Sequence, residues 1–184
     1  MNRIFLYLLS ALVVVTVLLF HEIAVAQDTP AKGAQSSYTD PFAYCAAVGT
    51  VDKPDGRYIG SNMPDSIVEG MVRLKIVSAD APLEFQRNAV WRCMNDSVWV
   101  CHFGANIPCL EKADTSKVPT PGIEEYCKAQ PGANSIPAAV TGRATVYEWR
   151  CKDAIPLVVG QLFKVDRQGY LSDFWHKLTR NKGL

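Results

Sequence analysis

Six cysteines, at positions 45, 93, 101, 109, 127 and 151, constrain this chain more than any other feature. An even set behind an export signal reads as a disulfide framework. The signal is a positive Met1–Arg3, an almost unbroken apolar run Ile4–Phe20, and the small-x-small site Ala24-Val25-Ala26. Residues 1–26 are therefore expected to be a signal peptide, with Gln27 as the new N-terminus. The apolar run of about 17 residues also reaches the lower limit for crossing a bilayer, so a retained N-terminal anchor is the alternative. Either way the cysteines face an oxidising compartment, periplasmic or extracellular. No cysteine stands at the cleavage site, which argues against a lipoprotein, and no second apolar run of that length follows.

The formal net charge is +1, and it stays so after cleavage because Arg3 and Glu22 cancel. A near-neutral surface gives no electrostatic reason to expect nucleic acid or an anionic membrane as partner. No membrane insertion is expected once the leader is gone. Residues 27–40 (QDTPAKGAQSSYTD) are polar and lack apolar periodicity, and read as a flexible linker. Residues 41–180 then form one disulfide-linked domain.

That domain says the same thing twice. Asp40-Pro41 starts a short helix carrying Tyr44-Cys45 and stopping near Gly49; Thr120-Pro121 starts another carrying Tyr126-Cys127 and stopping near Pro131-Gly132. Each is followed by an apolar-Pro step, Met63-Pro64 and Ile136-Pro137. Each half then reaches Trp-Arg-Cys, at 91–93 and 149–151, a polar turn and a returning apolar run. The expectation is an internal duplication, helix–connection–hairpin, over about 41–110 and 111–180. If each unit closes on itself, Cys45 bonds Cys93 and Cys127 bonds Cys151, leaving Cys101–Cys109 around a small loop. In the chain-entropy picture the links over 48, 24 and 8 residues contribute about 4, 3.5 and 2.5 kcal/mol. Six cysteines allow about 15 pairings; the repeat alone selects this one.

Strand signals dominate the second half. Ala144–Cys151 alternates, Leu157–Val165 is apolar, and Asp166-Arg167-Gln168-Gly169 is a turn leading to a strand at Tyr170–Leu178, which predicts an antiparallel meander. Asp65–Val77 has helical spacing. The expected fold is α+β: an antiparallel sheet with short disulfide-tethered helices.

Chemistry is sparse. Of three histidines only His102 and His176 lie beyond the leader. His102 adjoins Cys101, but neighbours on a strand point to opposite faces. There is no Cys-x-x-Cys, His-Glu-x-x-His, Gly-x-Ser-x-Gly or glycine-rich phosphate loop. A metal shared by His102 and His176 would need a carboxylate such as Asp173. Neither a cofactor nor a metal is expected. Asn95-Asp96-Ser97 fits a glycosylation sequon within a turn, and Glu148 is expected to face solvent. Trp91 and Trp149 are expected in the core, whereas Trp99, Trp175 and Phe174 are divided between core and surface. The candidate binding residues are His102, Phe103 and Asn106 in the Cys101–Cys109 loop, with Trp99 and Trp175. A short closed loop loses little entropy on binding.

The strings around Trp-Arg-Cys, Gly104–Cys109 and Val140–Trp149 resemble small secreted bacterial proteins of uncharacterised activity; that resemblance implies no site. Asp55-Gly56-Arg57-Tyr58 is similar to the inhibitory Ser-Gly-x-Arg-Tyr loop of the periplasmic C-type lysozyme inhibitors, but lacks the Ser and differs by one in spacing. The functional expectation is a non-catalytic binding module for an envelope protein or a cell-wall ligand. The alternative is a secreted enzyme acting on a cell-wall or small-molecule substrate.

Overall fold

Asp40 caps the first helix, α1 (Pro41–Val48): its carboxylate accepts from the Phe42 N–H, and Pro41 takes the first helical position, where no donor is needed. Gly49 ends it with φ 81°. This is a computed structural model, and residues 36–180 are described. The expected signal peptide and residues 27–35 of the expected linker lie outside them. The folded part begins before Asp40, because Tyr38 donates to Arg57 O and accepts from Ile59 N–H, both at 2.8 Å. The last residues of the expected linker thus belong to the domain.

Helix α2 (Asp65–Arg73) buries Ile67, Val68 and Met71. It stops short of Val77 because Lys75 turns left-handed, φ 58°, in a position glycine usually fills. Ile76 N–H then reaches Met71 O and Lys75 N–H reaches Val72 O. A single turn, α3 (Leu83–Gln86), leads into β1 (Ala89–Met94), and β2 (Ser97–His102) returns antiparallel with Met94 opposite Ser97. Asn95 and Asp96, at φ 50° and 59°, make the two-residue turn. Helix α1 lies against this hairpin, and Cys45–Cys93 fastens it there.

The second half repeats the theme. Thr120 caps α4 (Pro121–Ala129) by accepting from Ile123 N–H. The one-turn α5 (Ala138–Thr141) follows, then β3 (Tyr147–Lys152) and β4 (Ile155–Gln161), turned by Asp153 and Ala154 at φ 51° and 65°. Cys127–Cys151 fastens α4 to β3, and Cys101–Cys109 closes the small loop after β2. The fold is α+β with three disulfides, paired as the repeat suggests. Three disulfides imply an oxidising environment. Among the described residues no helix is long and apolar enough to cross a membrane.

The predicted meander does not form. Across the Asp166–Gly169 turn Val165 and Leu171 form only an isolated antiparallel bridge; Ser172–Phe174 then make a 3-10 turn, and His176–Lys177 form the short strand β5. That strand pairs with β2, not β4, giving a sheet β1-β2-β5 and a separate pair β3-β4. The physical reason is burial: Leu178 is taken into the core of the first half, where it meets Gly70. A boundary at 110/111 therefore does not separate two self-contained units. Three apolar clusters result. One lies around α1, α2 and the first hairpin; another around Ile123, Cys127, Trp149 and Cys151; the third, with Tyr170 and Trp175, adjoins Cys101–Cys109.

Candidate functional site

The segment between α1 and α2 forms one wall of a cleft with a volume of about 560 Å³. Val51 pairs with Cys93 on the outer edge of β1, which delivers Asp52, Lys53 and Pro54 to the rim. The chain turns at Asp55, whose carboxylate accepts from the Arg57 backbone N–H at 3.0 Å and from its guanidinium at 2.5–3.1 Å. These bonds to Arg57 hold the Asp55 carboxyl well below the usual range. The Asp55 N–H donates to Tyr44 Oη at 3.0 Å, which anchors the turn on α1.

Behind the turn, Tyr58 packs edge-on against Trp91 with ring centres 4.9 Å apart. Trp91 Nε1 donates to Asn62 O at 2.8 Å. The opposite wall comes from the belt that follows β4. Tyr170 and Trp175 meet at 5.5 Å, and the buried Arg92 guanidinium lies 4.3 and 4.0 Å from their ring centres. Arg92 pairs with Asp166, which also accepts from Gln168 and Tyr170 N–H. Tyr58, Trp91, Tyr170 and Trp175 thus line one concavity, and Asp52, Lys53 and Asn62 stand exposed at its mouth.

Asp52 is fixed from behind. Lys112 Nζ donates to it at 2.5 Å and Gln168 Nε2 at 2.8 Å, while Lys112 also sits 3.8 Å from the Tyr170 ring centre. Burial works to raise the Asp52 pKa, but these bonds and the Lys112 charge outweigh it and leave it lowered. The carboxylate at the mouth is accordingly ionised and held by two donors.

The sequence-predicted residues do not converge. Trp175 is buried, 6 % exposed, because its ring covers Arg92; it contributes to the cleft wall rather than to an exposed stripe. His102 is not on a solvated loop: it ends β2, is 9 % exposed, and packs on Phe85 with Nε2 2.8 Å from the Phe85 carbonyl oxygen. A carbonyl only accepts, so Nε2 donates. Trp99 is half-buried and spends its indole N–H on Met94 O at 3.1 Å. Phe103 is half-buried in the third cluster and Asn106 is exposed. Trp91 and Trp149 are buried, as expected.

His102 and His176 do share a shallower cavity of about 320 Å³, walled by Leu74, Ile76, Ile107 and Phe174. No carboxylate lines it. Asp173 is turned to the Lys164 N–H instead. Among the described residues no cluster of three His, Cys, Asp or Glu side chains could hold a metal ion.

Sequence reasoning missed Asp52, Lys53, Asn62 and Tyr170 as a group. The available signal was local: a charged pair, Asp52-Lys53, next to the Pro54–Gly56 turn and the aromatic Tyr58. Nothing local announces that Tyr170 comes to face it. Comparison with protein-family models, curated proteins and solved structures found no match to the chain. The likeness to the lysozyme inhibitors rests on Asp55–Tyr58 alone, and there Arg57 is folded back onto Asp55.

Proposed function

We propose that this protein is a non-catalytic binding module of the periplasm or the extracellular space, and that it takes a ligand of the cell envelope in the cleft between Tyr58 and Trp175. One observation carries the reading: four aromatic side chains and three exposed polar ones line the same concavity. A pocket of a few hundred Å³ with apolar walls and a few placed polar groups is the usual form of a ligand site. The walls are also braced. Disulfides hold β1 and the end of β2, and ion pairs hold Asp52 and Arg92. A braced site loses little freedom when it is filled.

The test is capture. Immobilised oxidised protein should retain material from an extract of the producing cell's envelope, and the Lys53→Ala/Asn62→Ala variant should retain several-fold less. Both side chains are exposed, and Asn62 holds Trp91 through its backbone carbonyl, so the variant keeps its melting temperature. Equal capture by the two proteins overturns the assignment of the cleft.

A further inference from the structure

We infer that the ligand of the cleft is a neutral saccharide of about two pyranose units, an inference that rests on the binding reading above and narrows it. Charge supplies the first argument. Lys53 is exposed at the mouth, Asp52 beside it is paired with Lys112, and behind them Asp166 is paired with Arg92. The site is nearly balanced, so it offers little to a strongly charged ligand. Cationic ligands are further disfavoured because the aromatic faces already host cations: Arg92 on Tyr170 and Trp175, and Lys112 on Tyr170.

Shape supplies the second. A protein partner needs about 800 Å² of surface on each side, and a concavity of about 560 Å³ accepts only one or two side chains from such a surface. A small ligand fills it. Chemistry supplies the third. A pyranose alternates C–H patches with hydroxyls, so it needs aromatic surface and fixed acceptors and donors in the same place. Half-buried Tyr58, with the small exposed part of Trp91 behind it, provides the surface, the Asp52 carboxylate held by Lys112 and Gln168 the acceptor, and Lys53 and the Asn62 amide the donors. The Asp52 oxygens have lone pairs beyond those used by Lys112 and Gln168, since an ionised carboxylate offers about four acceptor sites.

The experiment is calorimetric titration of the oxidised protein with tri-N-acetylchitotriose and with cellotriose, with tryptophan fluorescence followed in parallel. At least one saccharide should bind and perturb the Trp signal. Lys53→Ala/Asn62→Ala should weaken it about tenfold at unchanged melting temperature, as should Tyr58→Phe by less than threefold, since Phe keeps the ring. If neither saccharide gives heat at tens of millimolar, the saccharide inference is wrong. If in that case envelope capture still depends on Lys53 and Asn62, the binding reading stands and the ligand is of another class, such as an envelope protein. Saccharide binding that is indifferent to Lys53→Ala/Asn62→Ala also overturns the inference, by placing the sugar elsewhere.

Discussion

Arg92 has no exposed surface, and its Nε and Nη1 find no hydrogen-bond partner among the described residues. Its charge is answered by Asp166, itself buried, and by the faces of Tyr170 and Trp175. Arg150 holds the same place in the second Trp-Arg-Cys and is exposed. A buried ion pair adds little over an apolar pair of equal volume, yet removing one partner strands the other. Asp166→Ala should therefore cost about 3–5 kcal/mol, whereas Arg150→Ala should stay within about 0.5 kcal/mol. Urea denaturation of the oxidised variants measures both. A loss below about 1 kcal/mol for Asp166→Ala would mean that the two rings alone satisfy the guanidinium. Nothing in the tripeptide distinguishes the two arginines. What differs is a belt more than seventy residues downstream, and the sequence carries no local mark of where that belt lands.

At the scale of elements, the legible parts were those with local causes. Asp40 and Thr120 cap helices because a short side chain can reach a free N–H one turn in, and Pro follows because it lacks one. The disulfides followed from the repeated order of helix and hairpin. The end of α2 was not legible, since lysine gives no warning of a left-handed conformation. Nor was the role of Pro156. Lys152 faces Ile155 across the two-residue turn of the second hairpin, so Cys151 and Pro156 form the next, non-hydrogen-bonded pair. The side of Pro156 that lacks an N–H therefore points away from β3, along an edge that no other described strand covers. Ile155 and Val159 are 60 % and 50 % exposed there. Such an edge invites pairing with another chain, and proline is one of the devices that blunt it. Pro156→Val should leave the disulfide pattern and fold intact but increase self-association at a given concentration, as read by sedimentation velocity. An unchanged monomer fraction would show that the edge is protected by something other than Pro156.

Across the whole molecule, the belt from Leu162 to Arg180 decides how the pieces are joined. It leaves β4, places Asp166, Tyr170 and Trp175 on Arg92, lends β5 to the edge of β2, and buries Leu178 beside Gly70 of α2. Arg73 donates to Thr179 O at 2.7 Å, and Arg180 pairs with Asp40. A chain read as two consecutive units places residue 178 with the second. The fold places it with the first, because the larger apolar cluster is there and the free edge of β2 supplies partners for its backbone: Leu178 N–H donates to Val98 O at 2.9 Å. Leu178→Ala removes a side chain that is 2 % exposed and should cost about 2–5 kcal/mol. Amide hydrogen exchange under native conditions should show the loss in β1, β2 and α2, whose openings expose the cavity, while the amides shared by β3 and β4 keep their protection more nearly. If protection instead falls first in β3 and β4, the belt is energetically part of the second hairpin. The cleft would then have one wall, Tyr170 and Trp175, free to move with that hairpin, and the proposed ligand site would lose its bracing.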